Sequence, residues 1–225
     1  MAGGLGERLR PFTEVLPKPL LPLGDKSVIE ILIGKMKESG VNEVILSIFY
    51  KSDLFEPYLG NGSKYGIKIN YSKEEKLLGT AGPLANMKDI LTEPFIVSNG
   101  DILTNIKFDE LMKFHKENNA DITIVTKSLP VPLNYGVISS VNNEVTNLEE
   151  KPVLNFEINA GIYALSPNML DLLKTGEFIH MTELLKLAKV KGMRVMRYLL
   201  DGYWLDMGII GDYERARNDI KDGKI

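Results

Sequence analysis

Hydrophobic and polar positions change period repeatedly along the chain. Within Ser27 to Ser39, Ile29, Ile33 and Met36 recur at helical spacing, Ser27 and Glu30 stand at capping-box spacing, and Gly40 follows as a stop. "EVILSIF" (Glu43 to Phe49) is a continuous apolar run that predicts a buried strand, "SDLFEPYL" is helical, and "GIKINYS" (Gly66 to Ser72) alternates as a half-buried strand. The alternation continues with a helix around Ala81 to Leu91, a strand "PFIVSNGD" ending at Asp101, a helix near Phe108 to Asn118 and a strand "DITIVTK" (Asp121 to Lys127). Repeated β-α units of this kind predict an α/β domain.

The middle of the chain breaks that rhythm. "YGVISSV", "EVTNLEE" and "NAGIYAL" are strands separated by turns, which predicts a small antiparallel or mixed insertion over the sheet edge or the site. Helices around Pro167 to Leu173 and Met181 to Val190, a strand at Met193 to Leu199 and a helix from Ile210 to Ile220 follow. No internal repeat or linker divides the 225 residues, so the chain reads as one domain, 1–225.

Composition narrows the function classes. A net charge of -3 argues against a nucleic-acid binder, which needs a clear Lys/Arg excess to neutralise phosphates. The absence of cysteine excludes disulfides, Cys-based zinc sites and thiol catalysis. No apolar run approaches the ~18 residues of a membrane span, so the expectation is a cytoplasmic protein without membrane contact. His115 and His180 lie in helical stretches with no second ligand at metal spacing, and structural or solvent-facing roles are expected. Met169, Met181, Met193 and Met196 read as core filling.

The chemistry is concentrated at the start, "MAGGLGERLRPFTEVLPKPLLPL". Clustered glycines let backbone N–H groups approach an anion that a Cβ would hold away, which accounts for Gly3, Gly4 and Gly6. The stretch lacks the GK[ST] ending of a P-loop, and Leu9 stands where G-x-G-x-x-G requires its third glycine. Arg8 supplies a fork suited to phosphate oxygens, and Lys18 is held between Pro17 and Pro19. A Gly-rich phosphate turn ordinarily follows a strand, yet only Met1 and Ala2 precede Gly3, so the strand expected there is nearly absent and native residues are expected to be missing from this numbering.

The stretch "AGGLGERLRPFTEVLPKPLLPL" resembles the signature of the sugar-1-phosphate nucleotidyltransferases, a GGxGxRLxPxT loop followed by PKP. Further family-like blocks follow in order: "LGTAGPL" (Leu78 to Leu84), "VSNGD" ending at Asp101, "YGVI" from Tyr135, "EEKP" (Glu149 to Pro152), "NAGIY" from Asn159 and "YWLDMG" from Tyr203. The subgroup most similar in motif is the mannose-1-phosphate guanylyltransferases. The fold this resemblance implies is a Rossmann-like, GT-A-like three-layer sandwich with a mostly parallel mixed central sheet and a small antiparallel insertion.

The reaction it implies is attack of a sugar-1-phosphate oxygen on the α-phosphate of a nucleoside triphosphate, giving a nucleotide sugar and pyrophosphate. By the same resemblance Ala2, Gly3, Gly4 and Gly6 cradle the triphosphate, and Arg8 and Lys18 hold its outer phosphates and the departing pyrophosphate. Asp101 and Asp206 take Mg²⁺, a cation that seldom receives an all-protein cage. Gly79, Thr80 and Gly82 meet base and ribose, while Gly136, Glu150, Lys151 and Asn159 meet the sugar phosphate. Glu74 stands where thymidylyl and some uridylyl members carry glutamine, and a carboxylate there accepts two hydrogen bonds from guanine, which favours GTP. GTP with mannose-1-phosphate or a manno-configured analogue is the expected pair. UTP or dTTP with a glucose- or muramic-type sugar phosphate is the alternative, and a non-catalytic nucleotide-sugar-binding regulatory subunit is the alternative of another class. Many relatives carry C-terminal or regulatory domains for which this chain has no room, so excision from a longer protein and homo-oligomerisation both stay open.

Overall fold

The computed structural model of the protein describes residues 1–225. The chain opens with the glycine loop, one helical turn α1 (Phe12–Val15) and a short hairpin, β1 (Pro22–Leu23) with β2 (Lys26–Ser27). Helix α2 (Val28–Glu38) starts where Ser27 caps it: the Ser27 hydroxyl accepts from the Glu30 N–H, and the Glu30 carboxylate accepts from the Ser27 N–H at 2.7 Å. Strand β3 (Glu43–Ile48), the helical turn α3 (Phe55–Leu59) and β4 (Lys68–Lys73) form a unit in which β3 and β4 pair in parallel, Val44 opposite Ile69.

Next come β5 (Phe95–Ser98), β6 (Ile102–Thr104), α4 (Phe108–Glu117) and β7 (Ile122–Pro132). The hairpin β8 (Val137–Val141) and β9 (Glu144–Glu149) leads into the long β10 (Val153–Leu165). Helix α5 (Met181–Val190), β11 (Val195–Leu199), β12 (Trp204–Asp206) and α6 (Ile210–Lys221) complete the order. No helix is long and apolar enough to cross a membrane.

A four-stranded sheet runs β11-β7-β10-β5, with β11 parallel to β7 and β10 antiparallel to both neighbours. Successive residues of β10 serve opposite faces, as the two-residue period requires. Ala160, Ile162 and Ala164 pack with Ile29 and Ile33 of α2 and Leu111 of α4, whereas Tyr163 and Leu165 pack with Met169, Leu84 and Leu184 of α5. Helices therefore cover both faces of the mixed sheet, giving the three-layer α/β arrangement. The hairpin β8–β9 is the antiparallel insertion; nearly all of its residues are exposed, including Ile138, Val145 and Leu148.

Two expected helices are not α-helices. Ala81 to Leu91 holds only a 3₁₀ turn over Gly82–Met87, because the Ala81 and Gly82 amides both donate to the Ile179 carbonyl (3.0 and 3.2 Å) and Pro83 withholds a donor. Pro167–Leu172 is likewise a 3₁₀ turn, again with proline at its start. The expected strand ending at Asp101 stops at Ser98, and Asp101 sits in the turn between β5 and β6.

Between β3 and β5 lies an apolar slot of about 590 Å³, walled by Ile29, Ile33, Met36, Leu84, Met87 and Met112 among others. Met1 occupies its end: the Met1 amino group donates to the Ser98 carbonyl (2.7 Å), the Gly100 N–H donates to the Met1 carbonyl (2.8 Å), and the Ala2 N–H donates to the Ser47 carbonyl (2.8 Å). Burial pulls the Met1 amino group down to about 6, against the opposing attraction of Asp101 and Glu74.

Candidate active site

The glycine loop is fixed from below. Leu9, at the position where a dinucleotide loop has glycine, is only 1% exposed and anchors the 3₁₀ turn Glu7–Leu9 in the core. Gly6 adopts φ 65°, and a Cβ there would lie 2.7 Å from the Thr13 methyl group, while the Thr13 hydroxyl donates to the Gly6 carbonyl at 2.8 Å. At Gly4 a Cβ would meet nothing within 4 Å. The protein itself places no steric demand on that glycine, so its missing side chain leaves room on the open side of the loop.

Lys18 begins a 3₁₀ turn, Lys18–Leu20, entered from the extended Pro17 and stiffened by Pro19. Its backbone is thereby committed, and its nearly buried side chain runs inward to Asp101 Oδ2 at 2.5 Å and Asp206 Oδ1 at 3.4 Å. Asp101 and Asp206 are far apart in sequence but are joined by register: β12 pairs antiparallel with β6, Asp206 opposite Ile102, and the Met207 N–H donates to the Asp101 carbonyl at 3.2 Å. Burial and the charge of Asp101 raise the Asp206 carboxyl, opposed by Lys18 and Arg8. Arg8 itself is exposed, its guanidinium beside Gly208, the residue that follows "YWLDM".

One oxygen of this pair stands out. Asp101 Oδ1 is buried and has no hydrogen-bond partner. A buried carboxylate oxygen costs free energy unless something positive meets it. The two aspartates are the only acidic ligands gathered here, since no group of three or more His, Cys, Asp or Glu side chains is arranged to hold a metal. That composition suits a hard cation completed by phosphate oxygens and water.

Beside Asp206 opens a pocket of about 390 Å³, lined by Thr80, Asn159, Tyr163, His180, Trp204 and neighbouring backbone. A bulge in β10 between Asn159 and Tyr163 shapes its floor. There the Asn159 amide donates to the Tyr163 hydroxyl (2.6 Å), its oxygen accepts from the Gly161 N–H (2.9 Å), and the Trp204 indole N–H donates to the Ala160 carbonyl (2.8 Å). The "LGTAGPL" segment is clamped to Glu177–Met181. Gly79 has φ 78°, a Cβ there would lie 2.4 Å from the Ile179 carbonyl oxygen, and the Thr80 hydroxyl accepts from the Met181 N–H at 2.8 Å.

The expected residues thus divide. Lys18, Asp101 and Asp206 meet at one centre, with Gly6 against the Lys18 side chain and Arg8 beside Gly208, two residues after Asp206, while Thr80 and Asn159 line the adjoining pocket. Glu74 lies under the loop: a Cβ on Gly3 would be 3.0 Å from its Oε1, which accepts from the Ser47 hydroxyl (2.7 Å), while Oε2 accepts from the Leu78 N–H (3.3 Å). Each Glu74 oxygen retains a second lone pair. Gly136, Glu150 and Lys151 lie together at the base of the exposed hairpin, outside the pocket wall, and Lys151 forms no ion pair. Two residues of the pocket wall, His180 and Trp204, were not among the expected site residues. His180 N-caps α5, its backbone N–H donating to Glu183 (2.7 Å) and its ring edge-on to Phe178 (4.8 Å). Its contact with the pocket comes from the docking of "FIHM" on "LGTAG", which periodicity does not reveal. His115, by contrast, is buried between Thr123 and Ser166 hydroxyls (2.9 and 3.0 Å), and burial lowers its pKa.

A mannose-1-phosphate guanyltransferase of Yarrowia lipolytica is 37% identical over 222 residues, which are 95% of this chain and 61% of that protein. A Dictyostelium discoideum protein named mannose-1-phosphate guanylyltransferase catalytic subunit beta is 36% identical over 220 residues, with the same shares of 95% and 61%. The chain therefore spans about 61% of the length of these curated relatives. Among solved structures, HddC from Yersinia pseudotuberculosis superposes with a TM-score of 0.77 at 25% identity, covering 97% of this chain and 96% of that one. A Bacillus anthracis protein solved with sucrose gives a TM-score of 0.80 at 23% identity, covering 98% and 93%, and shares the fold. The family profile described as Nucleotidyl transferase matches residues 1–223, and the chain belongs to that family.

Proposed function

We propose that residues 1–225 act as a nucleotidyltransferase catalytic domain that joins a nucleoside triphosphate to a sugar-1-phosphate, with GTP and mannose-1-phosphate as the preferred pair. The observation that carries this reading is the meeting of Lys18, Asp101 and Asp206 between an open-faced glycine loop and a pocket walled by Asn159, Thr80 and His180. An oxygen of the sugar phosphate attacks the α-phosphorus, the bond from that phosphorus to its bridging oxygen breaks, and pyrophosphate leaves with the negative charge. Nothing in this displacement requires a protein nucleophile, so catalysis falls to positioning and charge stabilisation.

The loop N–H groups around Gly3, Gly4 and Gly6 receive the triphosphate, and Arg8 and Lys18 meet the charge that builds on the departing pyrophosphate. Asp101 and Asp206 are the residues that would hold Mg²⁺, and the unpartnered Asp101 Oδ1 is the observation that fits it. When bound, that ion supplies charge neutralisation at the phosphate oxygens. Asn159 and His180 orient the sugar on the far side of Asp206. The resemblance also assigns Lys151, Glu150 and Gly136 to the sugar phosphate, and from the base of the hairpin, outside the pocket wall, they would have to move toward it to do so. Glu74, with one free lone pair on each oxygen, reads the base edge beside Gly79 and Gly82, which supports guanine over uracil. The activity by which the Yarrowia lipolytica and Dictyostelium discoideum relatives are named supports the same pair of substrates.

The test is release of pyrophosphate from GTP and mannose-1-phosphate with Mg²⁺ by wild-type protein and by Asp206→Asn. Asp206 is 43% exposed at its side chain, so the substitution leaves folding nearly intact. Loss of at least about 100-fold in kcat at an unchanged melting temperature is expected. Full activity in the variant would remove the carboxylate pair from the mechanism.

A further inference from the structure

Lys127 is a cation without an anion. It lies midway along β7 at a half-buried position, on the face that Val125 turns into the core. Its ammonium donates to two backbone carbonyls, Gly202 at 2.7 Å and Leu200 at 3.3 Å, and both of its contacts are neutral. A charged donor makes the stronger kind of hydrogen bond, but drawing an ammonium partly out of water without a counter-charge costs free energy. A position that carries this cost points to a task at the turn it holds.

That turn, Leu200–Gly202, leads directly into β12. Its start is fixed by the Leu200 N–H on the Thr126 carbonyl (2.8 Å), and Gly202 packs flush on Asn105, where a Cβ would overlap the side-chain amide. Two residues further on, the Trp204 indole bonds the Ala160 carbonyl inside the bulge of β10. Ile158, directly opposite Lys127 in the ladder, lines the same pocket as Trp204. Asp206 is held by other means, the pairing of β12 with β6 and the contact with Lys18. The tie from Lys127 therefore acts on the Trp204 wall and leaves the carboxylate pair to its own supports.

We propose that Lys127 is a positioning residue for the sugar phosphate. By tying the Leu200–Gly202 turn to β7 it fixes the spacing between the two walls of the pocket, Trp204 of β12 and Ile158–Asn159 of β10. The proposal rests on the assignment of that pocket to the sugar phosphate.

Lys127→Met keeps the stem and removes the donor. Its KM for mannose-1-phosphate should rise by at least about fivefold while the KM for GTP stays within about twofold of wild type. Lys127→Arg restores a charged donor and should return the mannose-1-phosphate KM to within about twofold of wild type. Trp204 is the one tryptophan of the chain, so its emission reports the same wall without turnover. Acrylamide quenching of the free protein should roughly double in Lys127→Met and keep its wild-type value in Lys127→Arg. Lys127→Gln, whose polar end falls one atom short of the carbonyls, gives the same comparison where the methionine variant does not fold. Unchanged quenching in the variants without the ammonium would overturn the proposal. So would an equal rise in both KM values, or a lowered melting temperature with neither KM changed, since each describes a prop for the fold alone. Changed quenching beside a wild-type protein that releases no pyrophosphate would support the positioning of Trp204 and count against the reaction, so the two failures are distinguishable.

Discussion

At Gly4 and Gly79 the same residue type does different work. Gly79→Ala drives a Cβ to 2.4 Å from the Ile179 oxygen at a positive φ, and should destabilise the fold by about 2–4 kcal/mol in a denaturant titration. Gly4→Ala meets nothing in the protein, so stability should stay within about 0.5 kcal/mol while the KM for the triphosphate rises. Equal melting temperatures for the two variants would show that the loop and its support are not separable in this way. Lys18 and its partners make a similar contrast. Asp101→Asn breaks the more buried pair and should lower the melting temperature as well as turnover, unlike Asp206→Asn. His180→Ala should raise the KM for sugar phosphate more than that for the triphosphate, and equal effects would place the ring outside the sugar site. The glycines, Arg8, Lys18 and both aspartates were legible as candidates only through the motif blocks that resemble the family, since either aspartate taken singly reads as a cap or turn residue. His180 and Trp204 were not, because their position follows from the docking of segments distant in sequence.

Among the elements, α2 shows how a sequence signal grows into tertiary structure. The capping box predicted from Ser27 and Glu30 is present, but the Glu30 carboxylate also accepts from the Tyr58 hydroxyl (2.7 Å) and the Tyr65 hydroxyl (2.6 Å), tying α2 to the segments around α3. Burial pushes this carboxyl up, yet the hydrogen bonds from Tyr65, Ser27 and Tyr58 outweigh it and hold it at about 2, against 4.5 in the unfolded chain. A depressed carboxyl stabilises the fold above its unfolded value and loses that contribution as pH falls through its folded value. Glu30→Gln should therefore destabilise the fold at neutral pH, a difference that shrinks between about pH 4.5 and 2. A cost independent of pH would reduce Glu30 to packing. The helices expected at Ala81 to Leu91 and Pro167 to Leu173 became 3₁₀ turns, each with a proline at its start, and in the first the deciding partner, the Ile179 carbonyl, comes from elsewhere in the chain.

On the scale of the molecule, the α/β class, the alternation of elements and the antiparallel insertion were readable from periodicity, whereas the exposure of that hairpin was not. The strand order β11-β7-β10-β5 and its mixed directions were not, because pairing is set by which apolar faces meet across the core. That arrangement brings the loop after β5 and the end of β12 together, which makes a site from Asp101 and Asp206. The proposed base preference belongs to this scale too, since Glu74 is tied both to Ser47 of β3 and to Leu78 of the next segment. Glu74→Gln should erode the preference for GTP over UTP, and an unchanged ratio would move base reading to other groups.

The most direct measurement is pyrophosphate release with Mg²⁺ across a grid of nucleoside triphosphates against mannose-1-phosphate, glucose-1-phosphate, N-acetylglucosamine-1-phosphate and muramic-type phosphates. One dominant pairing, GTP with mannose-1-phosphate, is predicted, and it should vanish in Asp206→Asn. A blank grid from folded protein that still binds nucleotide would contradict the account and make the site a binding device rather than a catalytic one.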